Sequence, residues 1–63
     1  MKLELSIETD NDAFVNHAGY ECARILDTLN DRLRTGSELI QGESFTLCDY
    51  NGNTVGRATV SDN

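Results

Sequence analysis

The sequence predicts an α+β fold, a β-α-β-β two-layer domain in which a three-stranded, mainly antiparallel sheet packs on one amphipathic helix. Three observations carry this expectation. Lys2 to Thr9 alternates apolar and polar residues, an apolar stripe recurs at three- and four-residue steps from Phe14 to Leu33, and Glu43 to Val60 holds two short runs around an Asn-Gly pair. These are the periods of a half-buried strand, of a helix with one buried face and of a hairpin.

In the first run Leu3, Leu5 and Ile7 fall on one side and Lys2, Glu4, Ser6 and Glu8 on the other, so one face is expected to be solvated. Asp10-Asn11-Asp12 then offers side-chain acceptors for unpaired N–H groups and negative charge for the positive end of a helix. The stripe Phe14, Ala18, Cys22, Ile25, Leu26, Leu29 and Leu33 follows, with Arg24, Asp27 and Asp31 expected on the far side. Gly19, preceded by Asn16 and His17, predicts a break into an opening turn and a main helix from about residue 20 to 35. Arg32 and Arg34 suit the last turn, and Gly36 suits the left-handed residue that closes it.

The hairpin admits two turns. Asp49 and Gly52 fit a type I turn with a glycine bulge, whereas Asn51-Gly52 fits a two-residue turn. The second is preferred, because it gathers Phe45, Leu47, Ala58 and Val60 on one face, while the first would place Arg57 beside Phe45. Its opposite face would carry Thr46, Cys48, Tyr50, Val55 and Arg57, an apolar set for a solvated surface. Strand order one, three, two gives an antiparallel sheet; order one, two, three with a parallel crossover is the alternative.

A chain of 63 residues is expected to form a single domain spanning 1–63, with about 60% of its unfolded surface removable from water. No proline, repeat or low-complexity stretch marks a linker. Cys22 and Cys48 lack metal-ligand spacing and are expected as small buried hydrophobes, with a helix-to-strand bridge or a reactive thiol as alternatives. Met1 to Leu5 alternates instead of running apolar, and no stretch has the length of a membrane span, so a cytoplasmic protein is expected. With neither disulfide nor metal to support so small a core, self-association as a homodimer is the expected remedy.

The formal net charge of −6 speaks against sequence-independent binding of nucleic acid or anionic lipid and leaves a basic protein surface, or plain solubility, as its use. The single histidine, His17, lacks a nucleophile within hydrogen-bond reach, and is expected as an exposed polar residue near the helix start. Gly52 and Gly56 precede neither a helix nor a lysine of phosphate-loop type. No catalytic set, cofactor site or metal site is therefore expected. What remains is a partner or dimer surface, with candidates Thr46, Cys48, Tyr50, Val55, Arg57 and Tyr20; the two tyrosines are its anchors.

The segments Asn11-Asp12-Ala13-Phe14, Glu21-Cys22-Ala23-Arg24-Ile25-Leu26 and Asp49-Tyr50-Asn51-Gly52-Asn53-Thr54-Val55-Gly56 together resemble a set of very small proteins of bacteriophages, prophages and bacterial genomes. The likeness covers most of the chain and lies in structural motifs, so it carries over no catalytic residue. Asn16-His17-Ala18-Gly19 stands where those proteins have a proline-containing turn, which again marks a helix interruption. The resemblance implies a phage or mobile-element accessory protein that acts by stoichiometric binding in the host cytoplasm, blocking a host enzyme or defence complex. A structural or regulatory homodimer, such as an antitoxin partner, is the alternative. A weak nucleic-acid module is a third, and would need Arg24, Arg32, Arg34 and Arg57 on one face.

Overall fold

The computed structural model describes residues 1–62. Its elements are β1 (Lys2–Ile7), a 3-10 turn (Asp12–Phe14), α1 (Ala18–Gly36), β2 (Ser44–Cys48) and β3 (Thr54–Ser61). The sheet order is β1-β3-β2 with both pairings antiparallel, so the expected layout and strand order hold and the parallel alternative does not.

The helix is interrupted where the sequence marks it. Asn11 accepts the Ala13 N–H at 2.9 Å and caps the 3-10 turn. Asn16 then takes φ +65°, a conformation Asn tolerates better than most residues, and α1 begins two residues later with Gly19 inside its first turn. At the far end the left-handed residue is Ser37 at φ +61°, not Gly36, which remains the last helical residue.

The hairpin combines features of both predicted turns. The Gly52 N–H donates to Asp49 O at 3.0 Å, the Asp49 N–H donates to Asn53 O at 2.9 Å, and Gly52 sits at φ +88°. This is the type I turn with a glycine bulge, so the two-residue turn is corrected. Yet Phe45 still faces Ala58 and Thr46 still faces Arg57, as the two-residue turn required. The reconciliation lies one step further along. Cys48 pairs with Thr54 and Leu47 with Gly56, which leaves Val55 as an extra residue in β3. One bulge shifts the register and the second shifts it back.

Burial follows from this register. Phe14, Ile25, Leu29, Leu47, Val55 and Ala58 form one core with Ala13, Leu3, Ile7, Cys22, Leu33 and Phe45 pack at its margin, and Val60 is buried as well. At Gly56 β1 leaves no room for a side chain: a Cβ there would fall inside the backbone of Ser6. The helix lies along β2 and leaves β1 less covered, so Leu5, on the helix side of the sheet beside Ala58, stays 44% exposed. Leu26, placed by periodicity in the buried stripe, is 38% exposed on the same flank. No helix among the described residues is long and apolar enough to cross a membrane.

Candidate functional site

A hydrogen-bonded polar cluster joins the start of α1 to the hairpin turn. Glu21 occupies the first turn of α1, and Arg24 follows one turn later on the same side. The Arg24 guanidinium donates Nε to Glu21 Oε1 and Nη2 to Oε2, both at 2.9 Å, a bidentate pair. Glu21 Oε2 also accepts the backbone N–H of Tyr50 at 2.9 Å, and Arg24 Nη2 reaches Cys48 O at 3.0 Å. Helix and turn are thereby locked through one carboxylate that is only 3% exposed.

Asp49 organises the turn itself. Its Oδ1 accepts the backbone N–H groups of Asn51 and Asn53, each at 2.9 Å, while Oδ2 accepts Asn11 Nδ2 at 2.8 Å and Asn53 Nδ2 at 3.3 Å. A buried carboxylate is tolerable only when its lone pairs are taken, and here both oxygens are engaged. Because Asn11 also caps the 3-10 turn, the Asp49 side chain ties that turn to a hairpin 38 positions further along the chain.

The electrostatics match the geometry. The side-chain bonds from Arg24 hold the Glu21 carboxyl below its ordinary value, outweighing the opposing effect of burial, with the Arg24 charge and the Tyr50 N–H adding to them. The same pairing raises Arg24. For Asp49 burial is the largest single influence and pushes upward, but the donors from Asn53, Asn11 and Asn51 together bring the carboxyl below its usual range.

This framework brings two of the predicted surface residues together. Tyr20 and Tyr50 are 79% and 62% exposed and flank a shallow hollow of about 290 Å³, lined also by Ala13, His17 and Glu21. The other candidates lie elsewhere. Val55 is buried in the core because the second bulge turns it inward, which corrects its place on the exposed face. Thr46, Cys48 and Arg57 are exposed, but without Val55 that outer sheet face is polar, with Ser6, Ser44 and Thr59 among its residues; the expected apolar face is corrected accordingly. Cys48 is exposed and Cys22 half-buried, both as free thiols, so the expectation of two buried cysteines fails for Cys48.

Arg24 was expected on the solvent side of α1; the pairing with Glu21 and Cys48 O instead draws it over the edge of β2. Arg32 follows the same course and donates to Thr46 O at 3.0 Å. Arg34 pairs with Asp31 at 3.6 Å, and Arg57 projects from the opposite face of the sheet. The four arginines therefore do not share a face. Glu21 and Asn11 were not among the candidates. The available signals were the Glu21–Arg24 spacing and an Asp at the head of Asp49-Tyr50-Asn51-Gly52-Asn53, where a side chain can cap its own turn. Comparison with protein-family models, curated proteins and solved structures gives no match.

Proposed function

We propose that this chain acts without catalysis, by binding another protein stoichiometrically through the surface around Tyr20 and Tyr50. The supporting observation is that two exposed tyrosines stand on either side of one hollow and are carried by a backbone pinned through Glu21 and Asp49. Tyrosine offers a large contact area with few rotors to freeze, and a fixed backbone lowers the ordering cost of association. The net charge of −6 favours a partner with a basic face, by steering as well as by contact.

The resemblance to small phage and prophage proteins supplies the setting: an accessory factor in the host cytoplasm that blocks an enzyme or a defence complex. The test is capture from host lysate on immobilised protein, comparing wild type with Tyr50→Ala and Tyr20→Ala. Tyr50 joins the network through its backbone N–H alone, so Tyr50→Ala leaves the fold in place. Each substitution is expected to cost about 2 kcal/mol of binding, roughly thirtyfold in affinity. Capture of no protein in stoichiometric amount, or equal capture by all three forms, would count against the reading.

A further inference from the structure

The outer edge of β1 carries an inference that is independent of the tyrosine surface. In an antiparallel ladder alternate residues turn their backbone groups toward a given neighbour. Lys2, Glu4 and Ser6 face β3, opposite Ser61, Thr59 and Arg57, and the Glu8 N–H continues the series by donating to Val55 O at 2.7 Å. The N–H and C=O groups of Leu3, Leu5 and Ile7 therefore point out of the sheet, beside a leucine side chain that is 44% exposed. Such an edge is a template for another strand.

We infer that this edge pairs with β1 of a second copy, antiparallel and centred on Leu5, joining two three-stranded sheets into one continuous sheet about a two-fold axis. The strand is self-complementary in that register. Leu5 meets Leu5, Leu3 meets Ile7, and Lys2 stands opposite Glu8 twice over, on the polar face. The neighbouring registers are worse. A shift one way sets Glu4 against Glu4, and a shift the other way sets Glu4 against Glu8; like charges directly opposed are destabilising. A shift of one residue would set helix-side leucines against polar residues. Moving further, to bring Lys2 opposite Glu4, shortens the overlap and leaves Ile7 unpaired. Lys2 and Glu4 of one chain approach only to 3.8 Å and are well exposed, so that contact does not hold Lys2 back. The two-fold axis keeps both helices on one side of the sheet, flanking the paired Leu5 side chains.

Sedimentation velocity on the purified chain from about 5 to 500 µM tests this. The wild type is expected to approach twice the 7.0 kDa chain mass as concentration rises. Lys2→Glu and Glu8→Lys should each weaken self-association by roughly three- to thirtyfold, and the double substitution should restore it to within about threefold. The pair separates register from bulk charge: Lys2→Glu makes the chain more negative and Glu8→Lys less, so simple repulsion between copies would move them in opposite directions. Leu5→Asp, at a half-exposed side chain, should give a folded monomer by circular dichroism at every concentration. A wild type that stays monomeric overturns the inference, as does a dimer indifferent to Leu5→Asp or to the charge exchange.

Discussion

The two edges of the sheet are finished differently. At β2 the carbonyls of Thr46 and Cys48 point outward and are taken by Arg32 and Arg24, which reach across from α1. At β1 the outward groups of Leu3, Leu5 and Ile7 meet no side chain from the helix, and Leu5 is left partly in solvent. The cause is where the helix lies. The Glu21–Arg24–Tyr50 lock draws the first turns of the helix toward the hairpin and so toward β2. Closing one edge leaves the other open.

The largest expected effect comes from separating the open edge from the rest. Gly56→Ala would drive a Cβ into the backbone of Ser6, which has no soft side chain to yield. The cost is about 3 kcal/mol or more, against a total stability on the order of 3–9 kcal/mol for a chain of this length. Urea unfolding should show a loss of most of the stability; a midpoint close to wild type would mean that β1 is not held as described.

A smaller effect comes from titrating the closed end. Glu21 and Asp49 both have lower pKa values in the folded chain than when unfolded, Glu21 through Arg24 and Asp49 through its donors against the pull of burial. Their stabilisation is therefore complete above the unfolded values and is lost as pH falls through the folded ones. The melting temperature followed by circular dichroism should be level from pH 7 to about 5 and drop steeply below about 4. Asp49→Asn should start lower and fall less; an unchanged slope would show that Asp49 does not contribute to the acid loss of stability.

These tests probe features that the sequence reveals unevenly. The β1 alternation, the interrupted helix and the sheet order are legible because period and capping residues act locally, as Asn11 and Asn16 show. The hairpin is half legible. Its register follows from keeping Phe45 opposite Ala58, but the local turn obeys Asp49 and Gly52, and the bulge at Val55 that satisfies both leaves no mark in a run where either parity holds apolar residues. Tyr20 and Tyr50 stand out as aromatic residues, yet their shared hollow depends on a contact between Glu21 and residue 50, 29 positions apart. A charged residue at position 21 is assigned to solvent by every composition rule, and only its partners explain its burial. Leu5 fails in the opposite sense, since its alternation promises a covered face that α1 does not reach.

The mildest substitution is Arg32→Ala, which frees the Thr46 carbonyl at the closed edge. Its stability cost is about 1 kcal/mol, and its informative consequence is a second open edge. Light scattering should then show species larger than the wild type at the same concentration, and an unchanged size distribution would show that Arg32 does not guard that edge.

Amide hydrogen exchange followed residue by residue tests the contrast most directly. Tyr50, Asn51 and Asn53 should be protected despite lying in a turn, and equally so at low and high protein concentration, because Glu21 and Asp49 accept their N–H groups. Leu3, Leu5 and Ile7 should exchange fast in dilute protein and slow markedly on concentration. Turn amides that exchange at the rate of free peptide, or β1 amides whose exchange is slow when dilute or unaltered by concentration, would rule out a closed hairpin end and an open β1 edge.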